Sequence, residues 1–443
     1  MTLSETVPAV VRDIARRVPL YVVGGHVRNC LGGMRLTSDI DLCGPLPSRD
    51  VAAALPAFRI EVVQESLDTA VIHTPDGDYE YTPFRTESYP RGSGVHTPAT
   101  VGFGATLAQD ACRRDFSCNT VYYDIAADTL IDPHGGIADI ERKVLRAVPS
   151  PEAVFSADGL RLMRLCRLAA ETGYRVDADT AAGAAGYSRY LADITAERIQ
   201  KELNKILAAD LPYGTADAHY RGVTLLGEIG LWQYVIKEVD EGRGVAQNAL
   251  YHRYDVYEHT LRTVKYAPPS VRLAALLHDV AKPYCVRTFG KMAGHQEVGA
   301  DMTREILQRL KYPNAVIART ARLVGAHMTD LGGVMRMTKL RVFTAQNADI
   351  LDDLVQLIHA DGKATGFPYN PTERLSATFA RLKEENVPFS LAALAVDGKD
   401  VMARGIAGRD IGRVLDRMLR DVQAGIEPNE KQRLLRKLQH YLR

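Results

Sequence analysis

The chain has 443 residues, a 46% hydrophobic and 25% charged composition, and a net charge of +1. That length exceeds one ordinary core and predicts about two to four domains. The near-neutral charge excludes a chain held to nucleic acid by bulk electrostatics alone, and no apolar run is long enough to span a membrane. The six cysteines (Cys30, Cys43, Cys112, Cys118, Cys166 and Cys285) have no CxxC or metal spacing. With no signal-peptide pattern at the N-terminus, they read as reduced thiols of a cytoplasmic protein.

The first third reads as mixed α/β. Leu20–Val23 is a short apolar run ending in Gly24-Gly25, a strand entering a tight turn. In Asp39-Ile40-Asp41-Leu42 acidic and apolar residues alternate, which predicts a strand with both acids on one face. Glu61–Val63, Ala70–His73, Tyr79–Tyr81 and Thr120–Tyr123 are further candidate strands. The Gly-, Pro- and Ser-rich stretch Thr86–Gly104 reads as a long mobile loop. After about Asp139 the pattern turns helical. Asp158–Thr172 places Arg161, Arg164 and Arg167 at three-residue spacing, and Ile194–Leu207 starts a helix at Thr195. Histidine-rich helices run from Tyr251 to Ala360, a break is expected over Gly362–Pro371, and a basic helical tail follows. The expected divisions are residues 1–138 (catalytic head), 139–210 (helical neck), 211–250 (linking body), 251–365 (histidine-rich domain) and 366–443 (tail).

Phosphoryl transfer needs positioning and charge neutralisation above all. Asp39 and Asp41 are two acids able to share divalent ions, while Gly24, Gly25 and Arg28 offer open backbone and a fixed positive charge to a triphosphate. Neither the P-loop nor the dinucleotide fingerprint is present. Arg114, Asp115 and Asn119, within Arg113-Arg114-Asp115-Phe116-Ser117-Cys118-Asn119, supply charge for phosphates and hydrogen bonds for a ribose. A lone DxD or Gly-Gly would be an ordinary turn; their order together is what carries weight.

In chain order, GGHVRN, DIDL, RRDFSCN, FSADGLRLMRLCRLAAETGY and ITAERIQKEL resemble the motifs of class II tRNA nucleotidyltransferases, relatives of bacterial poly(A) polymerases. The resemblance implies a palm-like mixed α/β head followed by all-α regions. It implies addition of C, C and A to the tRNA 3′ end from CTP and ATP, without a template. Asp39 and Asp41 would hold two Mg²⁺ ions. Gly24, Gly25, Arg28, Arg114, Asp115, Asn119 and Arg164 would bind nucleotide, and Asp158 and Arg161 would read the base edge. The family's leading acid of that pair is Ala157 here, and Asn29 stands where Asp is usual. Partial CC- or A-addition and poly(A) synthesis share the same chemistry and remain alternatives.

In the second half, His259, His278-Asp279 and Asp361 resemble the primary ligand set of HD-superfamily phosphohydrolases, with His295 and His327 as holders of a second ion. Imidazoles with carboxylates suit Mn²⁺, Ni²⁺ or Fe²⁺. The implied alternative function is hydrolysis of terminal or 2′,3′-cyclic phosphates on RNA. tRNA, CTP and ATP are the expected partners, with neither membrane nor DNA, and the oligomeric state is open. The tail, with Arg409, Arg420, Arg433 and Arg436 among its cations, is expected to meet tRNA phosphates or to cap the HD region.

Overall fold

A computed structural model describes residues 2–36, 39–89, 100–366 and 372–442. The chain forms two compact units, Met1–Lys237 and Glu238–Arg443, a division that falls inside the expected 211–250 linking body.

The first unit is built on eleven strands: β1 (Tyr21–Val23), β2 (Asp41–Gly44), β3 (Arg59–Gln64), β4 (Thr69–Thr74), β5 (Gly77–Pro83), β6 (Arg85–Ser88), β7 (Thr100–Phe103), β8 (Tyr122–Asp124), β9 (Thr129–Ile131), β10 (Val144–Leu145) and β11 (Arg175–Val176). Seven of them form one sheet in the order β3-β4-β5-β2-β1-β8-β9. Only β2 and β5 run parallel; the other neighbours are antiparallel. β1 lies inside the sheet and reads as an uninterrupted apolar run, as a strand covered on both faces should. Val23 pairs with Asp41 on one side and Tyr122 on the other, so the Gly24 turn leaves the sheet beside the acids.

Several expectations need correction. β2 begins at Asp41, so Asp39 and Ile40 lead into the strand instead of belonging to it. Of Thr120–Tyr123, only Tyr122 and Tyr123 are in a strand; Ser117–Asn119 makes a 3₁₀ turn first. The Thr86–Gly104 stretch is not loop throughout: β6 and β7 pair as hairpin arms from Arg85↔Phe103 to Ser88↔Thr100, and positions 90–99 lie outside the described residues. Past Asp139 the chain is helical except for the short parallel pair β10–β11.

The helix Leu160–Thr172 buries Leu162, Met163, Leu165, Cys166 and Ala169 at helical spacing and ends at Gly173, whose φ is +72°. Asp158 is not part of it. It terminates the preceding helix Pro151–Ala157, and Gly159 makes the junction, where an added Cβ would stand 2.3 Å from the Tyr190 carbonyl oxygen. The helix Ala196–Leu207 begins after Thr195 as expected.

The second unit is helical. Leu351–Ala364 is a single helix that contains Gly362, so the expected break does not begin there; positions 367–371 lie outside the described residues. The tail helix Arg409–Ala424 packs with Gly398–Met402 and the terminal helices on a core of Val401, Val414, Met418, Leu434, Leu438 and Tyr441. It also meets the helix Met337–Gln346, where buried Arg341 donates to the Gln423 carbonyl at 3.2 Å and pairs with Glu385 at 2.7 Å. The tail is thus packed on the helices before it.

Candidate active site and candidate metal centre

In the first unit Asp39 and Asp41 are both exposed. Crowding by protein atoms, then the neighbouring Asp39 charge, raises the Asp41 carboxyl pKa, with Arg114 and Arg164 acting against the shift. Two acids placed to repel each other at an open edge have the donor chemistry of a divalent-cation site. Gly24 has φ +82°, and a Cβ there would approach Asp41 Oδ2 to 3.3 Å, so glycine is required on two counts.

Behind the acids runs a buried polar chain. Arg28 Nη1 donates to Asn119 Oδ1 at 2.7 Å, Asn119 Nδ2 donates to Asp115 Oδ1 at 3.3 Å, and Arg164 Nε donates to Asp115 Oδ2 at 2.7 Å. Burial alone would raise the Asp115 pKa, but Arg164 and Arg161 outweigh it and hold the carboxyl well below the usual range. Arg114 is fixed by Asp110 at 3.0 Å and by the Tyr122 hydroxyl at 2.9 Å. Gly24, Arg28, Arg114, Asp115, Asn119 and Arg164 therefore belong to one assembly with Asp41. Gly25 starts the helix that carries Arg28.

Asp158 and Arg161 are adjacent to this assembly, but each already has partners. Asp158 Oδ1 accepts from the Leu160 amide at 2.9 Å, and Oδ2 pairs with Arg198 at 2.6 Å. Arg161 Nη2 donates to the Arg113 carbonyl at 2.7 Å, and its guanidinium lies 6.0 Å from the Tyr89 ring centre. The simple picture of two side chains one helical turn apart gives way to a helix junction with an Asp on one side and an Arg on the other.

Sequence reasoning missed several supporting residues. Asp110 is fully buried and binds Arg113, Arg114 and Tyr122; its place four residues before Arg114, on the helix Leu107–Cys112 that ends just ahead of that arginine, was the available signal. Arg198 sits in a quoted motif without an assigned task. Asn29 was noted only as a departure, yet its Oδ1 accepts from Arg28 Nε at 3.1 Å and Nη2 at 2.9 Å.

In the second unit the six HD residues converge as two buried triads: His259, His278 and Asp361, and Asp279, His295 and His327. His278 Nε2 lies 3.3 Å from His259 Nε2 and 3.2 Å from Asp279 Oδ2; His295 Nε2 lies 3.3 Å from His327 Nε2 and 3.1 Å from Asp279 Oδ1. Asp361 Oδ1 lies 2.9 Å from His259 Nε2. Three imidazoles are oriented alike: the Nδ1 atoms of His278, His295 and His327 contact the carbonyls of Ala275, Met292 and Val324 at 2.8, 3.0 and 2.6 Å. A carbonyl only accepts, so each Nδ1 carries a proton, which in a neutral ring leaves the Nε2 lone pair turned to the centre. The His295 and His327 lone pairs facing each other at 3.3 Å make no hydrogen bond, but they suit a metal ion. Burial first, then His278, pushes the His327 pKa down to about 3, which keeps that ring neutral. For His278 burial acts downward, but Asp279 outweighs it and the pKa is raised. His252, unassigned from sequence, places its ring centre 4.9 Å from that of His259. Its pKa is lowered to about 4, first by burial and then by Lys282.

Comparison with known proteins identifies the family. Residues 20–146 match the poly A polymerase head domain, 173–242 the probable RNA- and SrmB-binding site of polymerase A, and 256–354 the HD domain. The A-adding tRNA nucleotidyltransferase of Deinococcus radiodurans is 31% identical over 431 residues, covering 89% of each protein. The CCA-adding enzyme of Geobacillus stearothermophilus is 30% identical, covering 94% of this chain and 91% of the relative. The CC-adding enzyme of Thermus thermophilus is 30% identical, covering 90% and 88%. The crystal structure of the Bacillus stearothermophilus CCA-adding enzyme with CTP aligns over 97% of this chain and 96% of that one, with a TM-score of 0.68 and 27% identity. No helix among the described residues is long and apolar enough to cross a membrane. With the head, RNA-binding and HD matches in order, and relatives alike over nearly their full length, this chain is a tRNA nucleotidyltransferase of the class II CCA-adding family.

Proposed function

We propose that this chain adds the whole CCA sequence to tRNA, using CTP and then ATP. The observation that carries the reading is the hydrogen-bonded chain Arg28–Asn119–Asp115–Arg164, whose Arg164 interacts electrostatically with Asp41 at one end and with Asp158 of the Asp158–Arg161 junction at the other. One junction serves both bases, because C and A each present an exocyclic amine donor beside a ring-nitrogen acceptor, which an Asp acceptor and an Arg donor complement. Relatives named as CCA-adding, and one solved with CTP, support it.

In this reading Asp39 and Asp41 hold divalent ions, taken as Mg²⁺, which supply Lewis-acid activation of the tRNA 3′-hydroxyl and charge neutralisation at the leaving pyrophosphate. Arg28 and the Gly24-Gly25 backbone bind the triphosphate. Arg114 and Arg164 add positive charge beside the α-phosphate, Asn119 and Asp115 hold the ribose side, and Asp158 and Arg161 read the base. The exposed tail cations Arg409, Arg420, Arg433 and Arg436 contact the tRNA backbone. The sequence-based segments 1–138, 139–210, 211–250, 251–365 and 366–443 are kept as a functional division, and the cytoplasm is the proposed compartment.

The test is extension of three tRNAs, ending before CCA, after C and after CC, with CTP and ATP singly and together. Completion of all three supports full CCA addition. Stopping at CC, extending only the CC-ended tRNA, or adding runs of A replaces it by the corresponding partial or poly(A) activity. Asp41→Ala should remove extension of every substrate; a variant that extends normally refutes the metal assignment.

A second reading concerns the HD cluster. The tautomers fixed for His278, His295 and His327, with the His295 and His327 Nε2 atoms facing each other, favour a metal-dependent phosphohydrolase centre. Mn²⁺, Ni²⁺ or Fe²⁺ would be held by His259, His278, Asp279 and Asp361, with His295 and His327 at a second ion, and would supply an activated water. Its substrates would be terminal or 2′,3′-cyclic phosphates on RNA. Release of phosphate from such an end by wild type but not by His278→Ala is the expected result.

A further inference from the structure

The HD cluster has a polar edge that its six candidate ligands do not explain. Lys282 follows Asp279 by three residues, and its side chain is only 7% exposed. Its Nζ lies 2.6 Å from Asp279 Oδ2 and donates to Gln247 Oε1 at 2.7 Å. Gln247 Nε2 donates in turn to the Tyr254 carbonyl at 3.3 Å, so the amide is oriented with its oxygen towards the ammonium. An ammonium has three N–H donors; the third has no acceptor among the described residues. Burying such a charge is costly, and balancing Asp279 alone needs only one of those donors.

His252 stands at the same edge. Its ring meets that of His259 edge-on at 86°, and its Nδ1 is buried without a hydrogen-bond partner among the described residues. An orphaned buried ring nitrogen beside a candidate metal ligand is a second, independent sign that a polar group is missing. Lys282 and His252 do not have the lone-pair convergence of the two triads: an ammonium has no lone pair to offer a metal ion. What they offer is hydrogen-bond donors.

We propose that Lys282 and His252 form the anion-holding edge of this centre, anchoring the non-bridging oxygens of a phosphate ester while the six ligands hold metal. The inference rests on the phosphohydrolase reading and extends it to substrate positioning. Phosphate oxygens are acceptors only and carry charge, so they complement one unused ammonium N–H and one imidazole N–H. Gln247 and Asp279 each occupy one donor of the lysine, and both can stay in place when the third donor is engaged.

The test uses the full chain loaded with Mn²⁺, with inorganic phosphate as the probe and His278→Ala to subtract any phosphate held elsewhere. Phosphate affinity, manganese per chain and tRNA extension are measured for wild type, Lys282→Met and His252→Phe. The expected result is about a tenfold or greater loss of phosphate affinity for Lys282→Met and about a fivefold loss for His252→Phe. Manganese content and tRNA extension should stay at wild-type levels. If both variants bind phosphate as tightly as wild type, this inference is overturned and the phosphohydrolase reading survives. A wild-type protein that takes up manganese but binds no phosphate overturns both. Loss of manganese from Lys282→Met makes the lysine a support for the ligands and overturns its part, and His252→Phe then decides the remainder.

Discussion

Replacing Asn29 by Leu tests how Arg28, the arginine proposed to bind the triphosphate, is held. Arg28 is 3% exposed and Asn29 1%. Asn29 Oδ1 accepts two of the guanidinium's hydrogen bonds, at 3.1 and 2.9 Å, and Asn119 accepts a third at 2.7 Å. Leucine keeps the volume but removes two bonds to a charged donor, worth about 1.5–3 kcal/mol each. It also removes the unpartnered, buried Asn29 Nδ2, which returns about 1–3 kcal/mol. The net cost is about 3 kcal/mol. For a unit the size of Met1–Lys237 this lowers Tm by about 6–12 °C, followed by calorimetry of the whole chain. Asn29→Asp keeps the acceptor oxygen but gives Arg28 a full counter-charge. Its Tm should stay close to wild type while KM for CTP and ATP rises about fivefold, because the arginine is partly neutralised before the triphosphate arrives. Melting of Asn29→Leu within about 1 °C of wild type would refute the dependence of Arg28 on Asn29.

Three further outcomes follow from the same geometry. Arg198→Ala frees Asp158 Oδ2 from its 2.6 Å partner; because that arginine is 37% exposed, we expect only about a fivefold loss of discrimination against UTP and GTP, read by misincorporation, with kcat for CTP little changed. His278→Ala should abolish manganese uptake by the HD cluster, read by atomic emission, and leave tRNA extension intact. The third concerns acid. The pKa values of Asp110 and Asp115 are lowered on folding because their arginine partners outweigh burial. Their contribution to stability is therefore complete above the unfolded carboxylate value of about 4 and is lost as pH falls through the lower folded values. Asp110→Asn should be less stable at pH 7 and show a flatter Tm profile between about pH 4 and pH 2; an unchanged slope would remove the ion pairs as the cause.

Much of this was readable from residue order, and the misses have identifiable physical causes. Acidic and glycine residues that must sit at one edge of a sheet are close in the chain, so Gly24, Arg28 and Asp41 could be grouped before any fold was known. The HD histidines were readable for a different reason: their order along the chain resembles that of the HD superfamily, whereas helical period alone does not bring together residues on helices as distant in sequence as those of His259 and Asp361. The β6–β7 hairpin was hidden because its first arm, Arg85–Ser88, is polar although part of it is buried. Arg85 and Glu87 pair at 2.8 Å, Arg113 joins Glu87 at 3.4 Å, and a charge network replaces the apolar alternation that marks a strand. Gly362 looked like a break, but glycine inside a helix costs only about 1 kcal/mol, which packing of Leu354, Leu357 and Ile358 readily exceeds. The junction at Asp158 was invisible because it depends on Gly159 meeting the distant Tyr190 carbonyl.

That junction bears on the departure from the family pattern at Ala157. An acid at position 157 could orient Arg161 through an ion pair; with Ala157 the guanidinium is instead held by the Arg113 carbonyl and, at 3.4 Å, by the Val154 carbonyl. Carbonyls fix the plane of a guanidinium but bring no negative charge, so Arg161 retains its full charge towards a base. Arg113 is itself anchored by Asp110 at 2.8 Å and by Glu87, whose other oxygen accepts from the Tyr89 hydroxyl at 2.6 Å. The orientation of Arg161 is thereby linked to the β6 arm and to the Arg114 anchor at once. In the proposed mechanism, base reading and phosphate placement share Asp110 as a common support, and the loss of the acid at position 157 is compensated by backbone that this carboxylate holds still.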